Sequence, residues 1–484
     1  MPAPTADLMA PQSQPVRPFT QPPSWHSLAQ EERTVRRRRR MRSADLLVAA
    51  AWTSVAAAIA LFFASGGAAT STGPSGIVTA AGIVAGLAAT DLLLVMLVLV
   101  ARVPLIDRTF GHDKALAAHR RIGKPALSLL LAHAVLLTLG YGLSDGANPL
   151  RETWQLLTAN LDMTLAYLGL VLLIAVVVTS LVAVRKRLQY EIWHLVHLVS
   201  YAGVLVAVPH ELSAGAVLAS GTPERVFWIA LYVLAFGAVL IHRFVTPLLT
   251  SAEHAFRVEG VEVIAADVVS IHLRGKHLER FGARGGQFAV FRFWTARTWW
   301  HAHPISFSSA PSRNRLRLTV RVLGGGTDRL TRLPTGAFVS VEGPYGVFSD
   351  RTRTAPYLTA ITAGIGVTPV RALLEDSALE PGEATVLLRA GDDGATYLWD
   401  EVTGLVQAGG GKAWSMTGHR PRGVKTWMSA AAVEHQVTLR RIFPHLLDSD
   451  VYICGPQSWA DLVAADCRKA GVPAYRIHLE RFDS

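Results

Sequence analysis

Between Tyr190 and His210 the chain reads YEIWHLVHLVSYAGVLVAVPH, an apolar stretch long enough to enter a bilayer that nevertheless carries three histidines. Lipid offers no water to satisfy an imidazole, so a histidine in a membrane span is costly unless a partner compensates it, and it marks a functional site. A second stretch repeats the pattern: HRRIGKPALSLLLAH sets His119 and His133 14 residues apart. On an α-helix that is about 21 Å along the axis, with a turn of only about 40° between the two rings. His197 and His210 are separated by about 20 Å on the same reckoning. If the two helices run parallel, His119 faces His197 near one membrane surface and His133 faces His210 near the other. Two pairs of facing imidazoles suit the axial positions of two haem irons. The second spacing turns its ring by about 220°, so a kink or local unwinding at Pro209 is expected to re-aim His210. His194 shares a face with His197 and is the rival ligand, but its distance to His210, about 24 Å, is a poorer match to the partner helix.

Half of the 484 residues are hydrophobic and 17% are charged, which fits neither an ordinary soluble domain nor a chain wholly buried in lipid. Six apolar segments account for the excess, at about 44–66, 76–100, 124–144, 161–184, 192–212 and 226–249, each close to the ~20 residues that cross a bilayer. Basic residues crowd the run RTVRRRRRMR (Arg33 to Arg42), the 101–124 connection and the turn Arg185, Lys186, Arg187, whereas the alternate loops hold only Arg151 and Arg225. By the positive-inside rule both termini are cytosolic and spans three and five are parallel, as the histidine pairing requires. The net charge of +11 is therefore topogenic and gives no reason to invoke nucleic acid. Residues 1–32, rich in Pro, Ser and Gln, are expected to form a disordered cytosolic tail. Two cysteines, Cys454 and Cys467, exclude a cysteine-rich metal site. Asp91, inside the second span, reads as a structural acid or a proton-path residue.

From about Ser251 the pattern changes to alternating, β-branched, turn-punctuated sequence that predicts an antiparallel barrel. It carries HPISFSSAP (His303 to Pro311), TVRVLGGGTDRL with Gly324, Gly325, Gly326 and Thr327, and VEGPYG with Gly343. Hydroxyls beside a strand can hydrogen-bond a flat heterocycle, and glycines let backbone amides approach a diphosphate. Residues 355–484 then alternate strand and helix. YLTAIT runs into Gly364, Gly366, Thr368 and Pro369, a glycine turn before a helix with Thr368 as N-cap and Pro369 at its first position, which is an anion site for a dinucleotide pyrophosphate. Further strands at 385–389, 413–416 and 451–454 predict a parallel sheet with ligands at its carboxyl edge, where Cys454, Gly455 and Pro456 fall. Cys454 either borders a nicotinamide or is simply small enough for close backbone approach. Arg389, Arg420 and Arg422 follow strand ends where a 2′-phosphate can sit, and no acid stands at the usual ribose-binding distance, which favours NADPH over NADH.

Two histidine pairs on spans three and five, followed in order by HPISFSSAP, VEGPYG, GIGVTP and CGP, resemble the NADPH oxidase and ferric reductase superfamily over about residues 44–484. The resemblance implies a multidomain α plus α/β architecture. Its parts are a basic N-terminal tail (1–43), a six-helix transmembrane haem-binding bundle (44–250), an FAD-binding antiparallel β-barrel (251–350) and an α/β NAD(P)H-binding domain (351–484) like that of ferredoxin–NADP reductases. It places Ser306 near the reactive flavin nitrogen within the motif containing His303 and Pro304, and gives His303 and Gly324 to Thr327 the FAD phosphates. Gly364, Gly366, Thr368 and Cys454 to Pro456 would line the NAD(P)H cleft, with Ser306 and Cys454 beside the chemistry. Members of the family often end on an aromatic residue covering the flavin; here Phe482 is followed by Asp483 and Ser484.

The expected activity is transfer of electrons from cytosolic NADPH, through FAD and two bis-histidine b haems, to an acceptor across the membrane. With both axial positions filled, the acceptor is not bound at iron. Dioxygen, giving superoxide, is the first expectation, although Leu137 and not a histidine stands four residues after His133. Ferric iron or a ferric chelate is the alternative; the acids on the outer side, Asp145, Glu152, Glu211 and Glu224, are scattered along the chain. A third reading is a nucleotide-sensing membrane transporter in which the span histidines form a proton relay. The expected partners are NADPH, the acceptor and the bilayer, with no nucleic acid and no obligatory protein partner.

Overall fold

A computed structural model describes residues 25–67, 69, 71–181, 190–213 and 221–482. Six helices are long and apolar enough to cross a membrane. They are α1 (Trp25–Phe62), α2 (Gly73–Val100), α3 (His112–Asp145), α4 (Leu161–Ser180), α5 (Tyr190–Ser213) and α6 (Pro223–Leu240). Their ends follow from local chemistry. Asn160 accepts from Met163 N at the start of α4, and Thr222 accepts from Arg225 N at the start of α6, where Pro223 needs no partner for a missing N–H. Pro209 lies inside α5 without ending it. Helix α5 thus continues past His210 without the local unwinding expected at Pro209.

The basic run departs from expectation. Helix α1 starts at Trp25 and carries Arg33 to Arg42 on its surface, so residues 25–43 are helix and not disordered tail. Arginine is a good helix former, and an apolar span following directly lets the helix propagate backwards without a new nucleus. Residues 1–24, the turn Arg185, Lys186, Arg187 and the segment 214–220 lie outside the described residues.

Helix α6 runs on through a π turn (Ile241–Val245) and a helix (Thr246–His254), past the expected boundary at 250, and feeds the first strand. Two three-stranded antiparallel sheets follow. One has the order β1 (Arg257–Ala265), β2 (Val268–Arg274), β5 (Arg315–Arg321); the other has β4 (His303–Ser306), β3 (Phe288–Phe293), β6 (Val339–Tyr345). Single bridges, Arg257 to Phe338 and Phe307 to Leu318, link the two sheets where a closed barrel would have continuous ladders. Alternate residues of β3 and β5 point inward to a core of Phe291, Phe293, Phe307, Ile271, Leu273 and Leu318, all inaccessible to solvent. Each such side chain contributes roughly 1.5–3 kcal/mol by leaving water.

The last part is a five-stranded parallel sheet in the order β11 (Ile477–Phe482), β10 (Ser449–Pro456), β7 (Tyr357–Ala363), β8 (Ala384–Arg389), β9 (Lys412–Met416). Successive residues of β10 enter different cores: Tyr452 and Cys454 pack with α7 (Val367–Asp376), while Val451 and Ile453 pack with α8 (Gln457–Lys469). Both faces are thus covered, as a parallel sheet requires. Strand β11 was not anticipated.

The units are joined by specific contacts. Arg102, just after α2, and Arg243, at the end of α6, both bind the Glu342 carboxylate of β6, at 2.9 and 3.2 Å. Arg102 also lies over the Tyr345 ring at 4.8 Å, and His112 stacks on the same ring. Ser251 Oγ accepts from Val341 N at 3.0 Å, fixing the end of the last helix to β6.

Candidate functional site

Helices α3 and α5 bring the expected histidines together in two pairs. The rings of His119 and His197 have centroids 6.1 Å apart, and those of His133 and His210 are 6.5 Å apart. The rival His194 lies beside Trp193, which stacks on His197 at 5.2 Å. Helix α2 orients the α3 rings. His119 Nδ1 meets Met96 O at 3.2 Å and His133 Nδ1 meets Gly82 O at 2.8 Å. A carbonyl only accepts, so Nδ1 carries the proton in both rings and Nε2 keeps its lone pair, the tautomer of a metal ligand. On α5, His197 Nδ1 lies 3.3 Å from Ser180 Oγ. Among the described residues His210 Nδ1 is buried with no hydrogen-bond partner.

The spacing tests whether haem fits. Two iron–nitrogen bonds of about 2 Å, added to two imidazole radii, put the centroids of axial rings about 6.3 Å apart. The observed 6.1 and 6.5 Å agree. Room is made beside the second pair by Gly86 of α2, where a Cβ would stand 2.4 Å from His133 Nδ1. A cavity of about 450 Å³ adjoins this pair, lined by His133, His210, Leu137, Tyr167, Trp228 and Glu211 among others. Glu211 is not the scattered surface acid of the sequence reading. Its carboxylate accepts from Tyr232 Oη at 2.7 Å and from Thr90 Oγ1 at 3.2 Å. Glu152 and Glu224 are likewise buried, and Asp91 is a structural acid that accepts from Ser54 Oγ at 2.6 Å. The one signal for Glu211 was its place directly after a candidate ligand at a helix end.

In the two-sheet unit, β4 presents His303, Pro304 and Ser306. Ser306 is buried and pairs with Phe288, whose other neighbour across the sheet is Tyr345. His303 Nε2 is buried without a partner. Burial, then the charges of His301 and Arg292, lower the His303 pKa to about 4, so the ring is neutral at pH 7. Gly324 precedes a single helical turn (Gly325–Asp328), and Thr327 Oγ1 accepts from Leu323 N and Gly324 N, holding the turn's own backbone. Gly343 takes φ +137° in β6, a conformation open to glycine. Trp300 and Arg329, which no motif flagged, flank this region. The Arg329 guanidinium lies over the Trp300 ring at 5.7 Å and reaches His301 Nε2 at 3.4 Å.

In the parallel-sheet unit the glycine turn is where it was expected, but the cap differs. Gly364 to Gly366 form a 3₁₀ turn, Gly366 is the N-cap, and α7 begins at Val367. Thr368 is already inside the helix, buried, and its hydroxyl donates to Ile365 O; Pro369 is buried beside it. The 3₁₀ turn supplies helical geometry two residues early, so no side chain is needed as a cap. Gly366 is required by close approach, because a Cβ there would lie 2.4 Å from Cys454 O. Cys454 is itself fully buried with its thiol in the core, and partly buried Phe482 packs against the same cluster. Burial and then Glu480 hold that thiol well above its ordinary value, so it performs no thiolate chemistry at pH 7. Gly455 and Pro456 end β10, where Pro456 pairs with Phe482. Glu480, which the sequence reading missed along with β11, pairs with Cys454, and burial followed by Asp113 raises its pKa to about 8. It therefore holds a proton at pH 7. Arg389 is buried and donates to Ala390 O, Met416 O and Gly418 O, a structural role that removes it from the 2′-phosphate candidates. Arg420 and Arg422 remain, lining a cavity of about 790 Å³ with His419, Lys425 and Thr426.

Comparison with known proteins bears on the same two halves. Residues 85–208 match the family described as ferric reductase like transmembrane component, and residues 254–349 match an FAD-binding domain family. A ferredoxin–NADP reductase B of Sorangium cellulosum is 32% identical over 192 residues, 37% of this chain and 77% of that protein. The ferredoxin reductase component of 3-ketosteroid-9-alpha-monooxygenase of Rhodococcus rhodochrous is 27% identical over 212 residues, 43% of this chain and 58% of the component. Dual oxidase 1 of Rattus norvegicus is 24% identical over 306 residues, 57% of this chain but 19% of the oxidase. A membrane bundle of the ferric-reductase kind, an FAD-binding unit and a reductase-like nucleotide unit on one chain make a multi-pass flavin oxidoreductase with the architecture of the NADPH oxidases and ferric reductases.

Proposed function

We propose that the chain carries electrons from cytosolic NADPH to dioxygen on the far side of the membrane, giving superoxide. The supporting observation is the pair of imidazole pairs, each at the separation that one hexacoordinate iron requires and about 21 Å apart along α3. His119 with His197 and His133 with His210 would each hold one b haem, which when bound supplies the capacity for single-electron relay. The chain's own residues do the rest. The glycine turn of Gly364 and Gly366 admits a pyrophosphate to the start of α7. Arg420 and Arg422 receive a 2′-phosphate. Ser306, on the buried edge of β4, orients the flavin ring, and Arg329 holds positive charge near its phosphates. Both termini lie on the NADPH side, and the flavin-binding and nucleotide-binding units begin near 251 and 351.

Ferric chelate reduction is the second reading, favoured by the ferric-reductase-like match of the membrane part and by the Glu211 carboxyl in the outer cavity. Purified protein should show a haem band that shifts when NADPH is added without oxygen. Single alanine variants of the four histidines should each lose about half the pigment, since two haems share four ligands. Superoxide release and ferric citrate reduction, each assayed with and without oxygen, then distinguish the acceptors. A colourless protein, or one whose pigment survives both His133→Ala and His210→Ala, overturns the proposal.

A further inference from the structure

The arginine run of α1 has a face that binds the protein itself. Arg33, Arg37 and Arg40 recur at i, i+4 and i+7, the spacing of one helical stripe, and all three are half-buried. Arg33 donates to Ala355 O at 3.0 Å. The Arg37 guanidinium lies 3.8 Å over the Tyr475 ring, and Arg40 Nε donates to Thr109 O at 2.8 Å. Arg38, Arg39 and Arg42, on the remaining surface, are exposed. If topology alone were at stake, nothing would select one stripe over another, because orientation depends on the number of charges and not on their angular position.

Arg33 and Arg37 reach the nucleotide-binding side of the molecule, while Arg40 anchors the same stripe on the 101–124 connection of the bundle. Ala355 closes the segment that joins the two-sheet unit to the parallel sheet, and this segment is fastened on its other side by Asp450, which accepts from Thr354 N at 2.6 Å and Ala355 N at 2.5 Å. His478 Nε2 meets the same carboxylate at 2.7 Å. Tyr475 stands just before β11, the strand that carries Glu480 and Phe482 to the sheet's carboxyl edge. The flavin-binding sheets have their own fastening to the membrane, through Arg102, Arg243 and Glu342. The nucleotide-binding unit lies beyond this joining segment and is fastened to the flavin-binding sheets by Arg317 with Glu401, Ala310 N with Glu375 and Gly285 N with Asp376.

We propose that the basic half of α1 is a strut that ties the nucleotide-binding unit to the membrane bundle, with Arg33, Arg37 and Arg40 as positioning residues for the approach of nicotinamide to flavin. The strut acts at the hydride-donating step and is indifferent to the acceptor. Its loss loosens the nucleotide-binding unit at 349–356 and 474–482, the side facing α1, while its contacts to the two-sheet unit hold.

The test compares two triple variants of the full chain that remove equal charge: Arg33→Ala, Arg37→Ala, Arg40→Ala on the docking stripe, and Arg38→Ala, Arg39→Ala, Arg42→Ala on the free surface. Hydrogen–deuterium exchange at 349–356 and 474–482 should quicken at least about tenfold in the first variant and stay unchanged in the second, as for a segment moved to lower local stability. In single-turnover mixing with NADPH, flavin bleaching should slow in the first variant alone. Equal effects in both variants, an effect in the second alone, or no effect in either overturns the proposal. The exchange measurement needs neither haem nor acceptor, so failure of the strut is distinguishable from failure of the proposed electron path.

Discussion

Single atoms decide several properties. Gly86 lies so close to His133 that a Cβ there would stand 2.4 Å from Nδ1. Gly86→Val should therefore push the imidazole off its bond to Gly82 O and remove about half the haem, measured as the pyridine haemochrome. Gly366→Ala meets backbone instead of a side chain, the Cys454 carbonyl at 2.4 Å. The turn must open, at about 1–3 kcal/mol, and NADPH-driven flavin bleaching should slow while haem content is unchanged. His303 gives a pH prediction. Its folded pKa lies near 4 and its free value near 6.5, so the unfolded chain binds the extra proton first as pH falls. Stability linked to this ring is complete above about pH 6.5 and drains away between there and about 4. The melting temperature should fall over that window, and less steeply in His303→Gln.

Among elements, the junction of β6 with the membrane helices is the most exposed to a test. Arg102 and Arg243 converge on one carboxylate, and Glu342→Ala would leave two half-buried guanidiniums facing each other. A loss of about 1–3 kcal/mol is expected at this junction, less than for a fully buried pair because water reaches all three groups. The flavin-to-haem step should slow while NADPH still bleaches the flavin at its normal rate, which stopped-flow absorbance distinguishes. Much of the element layout was legible beforehand. The six spans, the parallel strands at 385–389, 413–416 and 451–454, and the turn before α7 follow from length, periodicity and glycine placement. Strand β11 escaped because IHLERF mixes charge with apolar residues at a sheet edge, where one neighbour suffices and no continuous apolar run is demanded. The helix at 25–43 escaped because a dense run of like charges reads as a solvated tail, although the apolar span continuous with it propagates the helix backwards.

For the molecule as a whole, the sequence revealed which residues could meet but not what would hold them there. Spacing alone pointed to His119, His133, His197 and His210. The partners of three of those rings, Met96, Gly82 and Ser180, come from other helices and have no sequence signature. The coenzyme preference lies at this scale too, since Arg420 and Arg422 stand at the far end of the nucleotide-binding unit. Arg420→Ala should raise KM for NADPH by about tenfold and leave NADH almost untouched, as expected for one charge-assisted hydrogen bond. Steady-state rates with both coenzymes measure it. An unchanged ratio would remove the arginine from the site.

Helix α2 contributes no imidazole, yet its carbonyls at Gly82 and Met96 steady one ring of each pair. It works as a ruler laid along the bundle, its two marks separated by the same interval as the rings they hold. One residue inserted between those marks would rotate and lift one carbonyl relative to the other, so at most one ring could stay in register. The interval between the imidazole pairs is thus written in a helix that carries no histidine of its own.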